Sequence, residues 1–163
     1  LATKARLHYV HGDATLASYG KGLKLLAHVC NDQGRWGKGF VMAVSARWPH
    51  VAHEYRQWHK RGSTAGFRLG AVQFCETGLP LLTVANMIAQ NGIKSGSKGP
   101  PVRYAAIQEA LEAVAACAQA RGASIHMPRI GVGLGGGEWS QIEAMLLMML
   151  AAHPKLQCHV YDP

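Results

Sequence analysis

The stretch Ile130-Gly131-Val132-Gly133-Leu134-Gly135-Gly136-Gly137 decides how the fold is read. Residues 124–127 before it read as a short strand, and a helix is predicted to start near residues 138–140 and continue through the apolar run 144–152. A strand, a glycine loop and a helix form the unit of α/β sheets, in which ligands sit beyond the strand ends. Glycines at 131, 133, 135, 136 and 137 permit positive φ and close backbone approach. A loop that feeds a helix N-terminus offers unpaired N–H groups and the positive end of a dipole to a phosphate. It lacks the Lys-Ser/Thr ending of a triphosphate-binding loop, and its spacing departs from the dinucleotide fingerprint. By themselves these residues also suit a tight, ligand-free turn.

The flanking sequence repeats the alternation. Ile107, Leu111, Val114 and Ala118 mark one face of a helix over 102–120, with Gly122 as its C-cap. Residues 156–161 read as a closing strand. Upstream, 7–10 is a strand that ends at His11-Gly12-Asp13, and 23–30 is a buried strand. Phe40, Val41, Val44 and Trp48 give a helix over 40–48; Pro49 interrupts it, and 51–59 forms a second short helix. Residues 69–75 and 81–88 are β-rich, as a hairpin or as neighbours, and 91–101 is a Gly-, Ser-, Lys- and Pro-rich surface loop. The pattern predicts an α/β sheet with helices on both faces.

A chain of 163 residues fits one domain, 1–163, and can enclose an apolar core. Its hydrophobic fraction of 48% is globular, and no apolar run reaches the roughly 18–20 residues of a membrane span. The formal charge of +8 favours anionic partners, although the basic residues are dispersed along the chain. Cys30, Cys75, Cys117 and Cys158 form no CxxC pair, which points away from zinc and towards reduced thiols in an intracellular, cytoplasmic compartment. The scattered histidines include no HExxH, so no metal and no cofactor is expected. There is no GxSxG elbow. Nothing marks an obligate interface, and a monomer is the default.

Two further loops carry chemistry. Asn31-Asp32-Gln33-Gly34-Arg35-Trp36-Gly37-Lys38-Gly39-Phe40 again joins a strand to a helix. Its amides and carboxylate suit sugar hydroxyls, and Trp36 suits stacking or a place in the core. In Gly12-Asp13-Ala14-Thr15 the carboxylate could accept from an exocyclic amine; capping the next segment is the alternative.

In order along the chain, these motifs resemble a macrodomain from about residue 7 to residue 162. Gly12-Asp13-Ala14-Thr15 resembles the family's Gly-Asp-Ile-Thr turn, whose aspartate binds the adenine amine. Asn31 to Phe40 resembles the loop around the distal ribose. Met127-Pro128-Arg129-Ile130-Gly131-Val132-Gly133-Leu134 resembles the segment that wraps the diphosphate, in a branch containing a terminal ADP-ribose glycohydrolase and a chromatin-remodeller macrodomain. The resemblance implies a three-layer α/β/α fold with a mixed sheet. It also implies ADP-ribose binding, free or on a protein or nucleic acid, by Gly12, Asp13, Ala14, Asn31, residues 35–40, Ala89, Gln90 and residues 128–136. In the glycohydrolase a lysine after the central strand attacks the anomeric carbon, and an acid after the Gly-Leu pair assists. The matching stretches here, Met87-Ile88-Ala89-Gln90 and Leu134-Gly135-Gly136, hold neither; Lys94, a few residues further along, and Glu138, three residues past Gly135, could substitute only if the backbone brings them into reach.

Three functions follow as expectations. One is hydrolysis of an ADP-ribosyl conjugate or of ADP-ribose 1''-phosphate without a lysine nucleophile, with Asn31 orienting ribose or water and an inward-pointing Asp32 as base. A second is a reader of terminal ADP-ribose without turnover. The third and weakest is a basic nucleic-acid-binding module, which the absence of a basic run disfavours.

Overall fold

A computed structural model describes residues 2–19, 21–93 and 100–163. The strands are β1 (Leu7–His11), β2 (Lys24–Asn31), β3 (Val72–Glu76), β4 (Leu82–Gln90), β5 (Ser124–Pro128) and β6 (Cys158–Asp162). The helices are α1 (Phe40–Arg47), α2 (Pro49–Arg61), α3 (Tyr104–Arg121) and α4 (Trp139–Ala152). The sheet runs β1-β6-β5-β2-β4-β3. It is parallel except for β3, which pairs antiparallel with β4.

Central strands of a parallel sheet are covered on both faces and need near-continuous apolar sequence. β4 is buried from Leu82 to Ala89, and β2 from Lys24 to Ala27. One face packs Ile125, Met127 and Met87 against Ile107, Leu111 and Val114 of α3 and Ile142 and Leu146 of α4. The other packs Leu26, Cys30, Val84 and Ile88 against Val44 of α1 and Val51, Tyr55 and Trp58 of α2. The fold is therefore a three-layer α/β/α sandwich with a mixed sheet, as the sequence implied.

Helix α2 is longer than its expected 51–59 because Pro49 occupies the first helical turn, where a missing N–H costs nothing. Gly122, with φ of 67°, ends α3 as a left-handed cap. β3 starts later than expected because Gly70, with φ of 91°, turns the chain out of extended geometry. Among the described residues no helix is long and apolar enough to cross a membrane, and all four cysteines are free.

Candidate functional site

Strands β1, β6, β5, β2 and β4 all point the same way, so the segments that follow them gather at one edge of the sheet. A cleft of about 1100 Å³ opens there. Its walls are the loop after β2, the N-terminus of α1, Gln90 at the end of β4, and Pro128 through Gly135 after β5. Arg35, Lys38, Arg56 and Arg129 line it, and no acidic side chain does so among the described residues. The cleft is electropositive and suits an anion.

The glycine loop is shaped from two sides. Gly131 has φ of +76°, and a Cβ there would stand 2.7 Å from Ile142 Cδ1, so this residue seats the loop on the core. Gly133 has φ of +62° and would place a Cβ in open space. The N–H groups of Gly135, Gly136 and Gly137 turn back onto the carbonyls of Val132, Gly133 and Gly131. Those of Gly131, Val132, Gly133 and Leu134 have no acceptor among the described residues. Four consecutive unpaired donors on a cleft wall form an anion-binding concavity.

The helix N-terminus expected to complete this site is not the one the fold supplies. The N–H of Glu138, ahead of α4, donates to Tyr104 Oη at 2.9 Å, and neither Glu138 nor Trp139 lines the cleft. Gly39, Phe40 and Val41 do line it. The dipole end aimed at the cleft therefore belongs to α1.

Asn31 and Asp32 are both committed to holding loops. Asn31 Oδ1 accepts from the N–H groups of Gln33 and Arg35 and from Tyr55 Oη, and its Nδ2 donates to Arg35 O at 2.8 Å. It lines the cleft as the keystone of the Asn31–Gly39 turn. Asp32 accepts from Asn91 Nδ2 and Gly92 N, each at 2.8 Å, and lies outside the cleft lining. The expectation of an inward-pointing Asp32 base is corrected: the carboxylate clasps the β4–α3 connection.

Arg129, expected as a ligand contact, lines the cleft with its guanidinium held by a carboxylate. It donates to both carboxylate oxygens of Asp162, at 2.5 and 3.0 Å. Trp36 is 7% exposed and packs on His28 and Tyr55 with ring centroids 5.5 Å away, so it is a core residue at the cleft wall. Gly12, Asp13, Ala14, Ala89 and Gly136 do not line the cleft. Asp13 Oδ1 caps the following turn through Thr15 N and Oγ1. Ala14 and Ala89 are buried. Lys94 falls outside the described residues.

The structure adds residues that had no sequence signal. His28 lines the cleft, and its Nε2 lies 2.6 Å from Asn86 Oδ1. Asn86 Nδ2 in turn donates to Gln73 Oε1; the amide therefore accepts from His28, which fixes the imidazole tautomer. Burial holds His28 down at about 4, against a smaller upward pull from Asn86. Arg56 reaches the cleft from α2, anchored by Nη2 on Trp36 O at 3.1 Å. Among the described residues no cluster of three or more His, Cys, Asp or Glu is placed to hold a metal.

A three-layer sandwich with a glycine-loop cleft across the ends of its parallel strands defines a class, and the comparisons identify it. The chain is 48% identical to a macrodomain protein of known structure from Streptomyces coelicolor, covering 96% of this chain and 99% of that one with a TM-score of 0.84. It is 47% identical to a Bacteroides thetaiotaomicron protein of unknown function, covering 96% and 98% with a TM-score of 0.89. The chain belongs to the macrodomain family. No family model matches it. Among curated proteins it is 28% identical over 156 residues to the mouse (Mus musculus) chromodomain-helicase-DNA-binding protein 1-like. That match takes in 89% of this chain but only 16% of the relative's length. It is 24% identical over 145 residues to the ADP-ribose 1''-phosphate phosphatase of Candida albicans, covering 86% and 91%.

Proposed function

We propose that this chain binds ADP-ribose, free or as the terminal group of an ADP-ribosylated protein or nucleic acid, acting as a monomer in a reducing compartment. The four N–H groups from Gly131 to Leu134, unpaired among the described residues, carry this reading. They offer a diphosphate a set of fixed donors in a cleft lined by arginine and lysine and, among the described residues, by no acid. Asp13 stands beyond one end of the glycine loop, and the Asn31–Gly39 turn flanks the other. The glycine loop suits the diphosphate, the Asn31–Gly39 turn suits the second ribose, and Asp13, outside the cleft lining, is left for the base. Calorimetry with ADP-ribose tests the reading: specific binding is expected, and no binding at millimolar ligand defeats it.

Binding without turnover is the favoured mode, because the Asn31 amide and the Asp32 carboxylate are occupied by loop contacts. A reader needs the cleft and no free base. Hydrolysis by water is the second reading, and the Candida albicans phosphatase supports it through its likeness over most of both chains. A turnover panel of ADP-ribosylated protein, ADP-ribosylated nucleic acid and ADP-ribose 1''-phosphate separates the two. Release of ADP-ribose or of phosphate establishes an enzyme; binding without release establishes a reader.

A further inference from the structure

Three of the chain's six methionines, Met145, Met148 and Met149, stand on the second half of α4. With Leu111 and Glu112 of α3 and with His153, the C-cap of α4, they line a cavity of about 170 Å³ between the two helices. None of these residues lines the ligand cleft. Residues four apart on a helix are neighbours on its surface, so Met145, Met149 and His153 follow one another in a single row. Methionine usually fills gaps in a core. Met148 is 66% exposed and fills none.

His153 is set to accept. Its Nδ1 lies 2.6 Å from Gln119 Oε1. A carboxamide oxygen only accepts, so Nδ1 carries the proton and the lone pair of Nε2 is left open. An imidazole that ligates a metal is typically held in this way, by an acceptor on its other nitrogen. The charge on the cavity wall is opposite in sign to that of the ligand cleft. Glu112 lines it, and among the described residues no lysine or arginine does, in a chain of net charge +8. Such a wall favours a cation. Hard cations such as Mg(II) call for oxygen ligands. Here thioethers and one imidazole outnumber the single carboxylate, which selects a soft ion. With one histidine and one acid, this donor set differs from the clusters of three or more His, Cys, Asp or Glu that the described residues lack.

We propose that the α3–α4 cavity is a site for a soft monovalent cation of the Cu(I) and Ag(I) class. The sulfurs of Met145 and Met149 and His153 Nε2 are its ligands, Met148 stands at the mouth, and Glu112 balances the charge. Unbranched methionine side chains can converge on an ion without movement of the helix. Gln119 is a positioning residue that acts through His153. Binding is ligation alone: no electron is transferred, and the open Nε2 has no proton to release.

Silver(I), which needs no reductant, is the probe. It is titrated into protein labelled at the methionine ε-methyl groups, followed by NMR, with affinities from calorimetry. The Met145 and Met149 methyls are expected to shift, those of the buried Met87 and Met127 to stay in place, and Mg(II) to shift none. Met149→Leu, which conserves volume, and His153→Ala are each expected to weaken silver binding at least about tenfold, and Gln119→Ala about tenfold. Thermal melts check folding; should Met149→Leu not fold, Met145→Leu takes its place with the same expected loss. Thiols are the competing soft donors, so the titration is repeated on Cys117→Ala, which removes the half-buried cysteine of α3. Unchanged affinity there supports the thioether site, and a loss confined to that variant gives the ion to the thiol and overturns it. Unshifted Met145 and Met149 methyls, equal shifts with Mg(II), or wild-type affinity in both the methionine and His153 variants also overturn the proposal.

Discussion

Asp162 accepts two hydrogen bonds from the Arg129 guanidinium, and its main-chain carbonyl accepts the N–H of Gly12 at 2.7 Å. One residue at the end of β6 thus ties the start of the glycine loop to the start of the Gly12-Asp13 turn. The Arg129 guanidinium also lies 5.1 Å from the Tyr9 ring centroid and 5.0 Å from that of Trp139. The hydrogen-bonded Arg129 guanidinium in turn holds the Asp162 carboxyl below the usual carboxylate range.

Arg129 should accordingly matter to stability as well as to binding. Arg129→Ala removes two cation–ring contacts worth about 0.5–1 kcal/mol each at exposed positions. Arg129→Lys keeps the charge but loses the paired donors and the planar stack. Both variants are expected to melt below wild type, alanine lowest. Equal melting of lysine variant and wild type in a thermal scan would show that charge alone supports this corner.

Two glycines of the same loop should respond in opposite ways. Gly131→Ala forces a side chain into left-handed backbone and against Ile142, Ile107 and Val102, at an expected cost of about 1–3 kcal/mol. Gly133→Glu meets open space and should cost only its positive-φ strain, about 1 kcal/mol. Yet it should abolish ADP-ribose binding by placing a carboxylate in the channel. Denaturant melts and calorimetry on the pair are the check. A Gly133→Glu protein that still binds would remove the glycine loop from the ligand site.

The contrast between those glycines marks what the sequence could tell. The alternation of strand and helix was legible because β2 and β4 are long apolar runs and α3 keeps a helical stripe. The glycine loop was legible as a backbone feature, since its composition alone demands an unusual path. Side-chain direction was not. Asp32 turns away from the cleft because Asn91 and Gly92 receive it. The Arg129 guanidinium is committed to Asp162, 33 residues later. His28 depends on Asn86, 58 residues along. Partners at such separations are chosen by packing, and local spacing carries no trace of them.

Buried imidazoles should make the fold acid-sensitive. Burial lowers His28 to about 4. Burial, then the His159 ring stacked at 4.5 Å, and then Lys24 lower His126 to about 3. In the unfolded chain both titrate near 6.5. The native state thus favours the neutral form, and this stabilisation is complete above about pH 6.5. It is lost as pH falls from there towards the folded values, by an amount on the order of 3 kcal/mol for His28. Urea midpoints should be flat above about pH 7 and already decline between about pH 6.5 and 5, before exposed carboxylates protonate. A midpoint constant across that window would mean that neither ring is held neutral.

Asp13 offers the sharpest test of ligand orientation. Its Oδ1 is taken by Thr15 N and Oγ1, while Oδ2 has no partner among the described residues, and the residue is exposed. A charged acceptor left open in this way suits the exocyclic amine of adenine. A hydrogen bond to a charged group contributes about 1.5–3 kcal/mol. Wild type should therefore prefer ADP-ribose to its inosine counterpart, which lacks that amine, by about tenfold or more. Asp13→Ala should weaken ADP-ribose and erase the preference, at a capping cost of about 1 kcal/mol in stability. Because the comparison is between two ligands on one protein, lost stability cannot imitate lost recognition. A variant that keeps the full preference would place the base elsewhere and reverse the direction in which the ligand crosses the sheet.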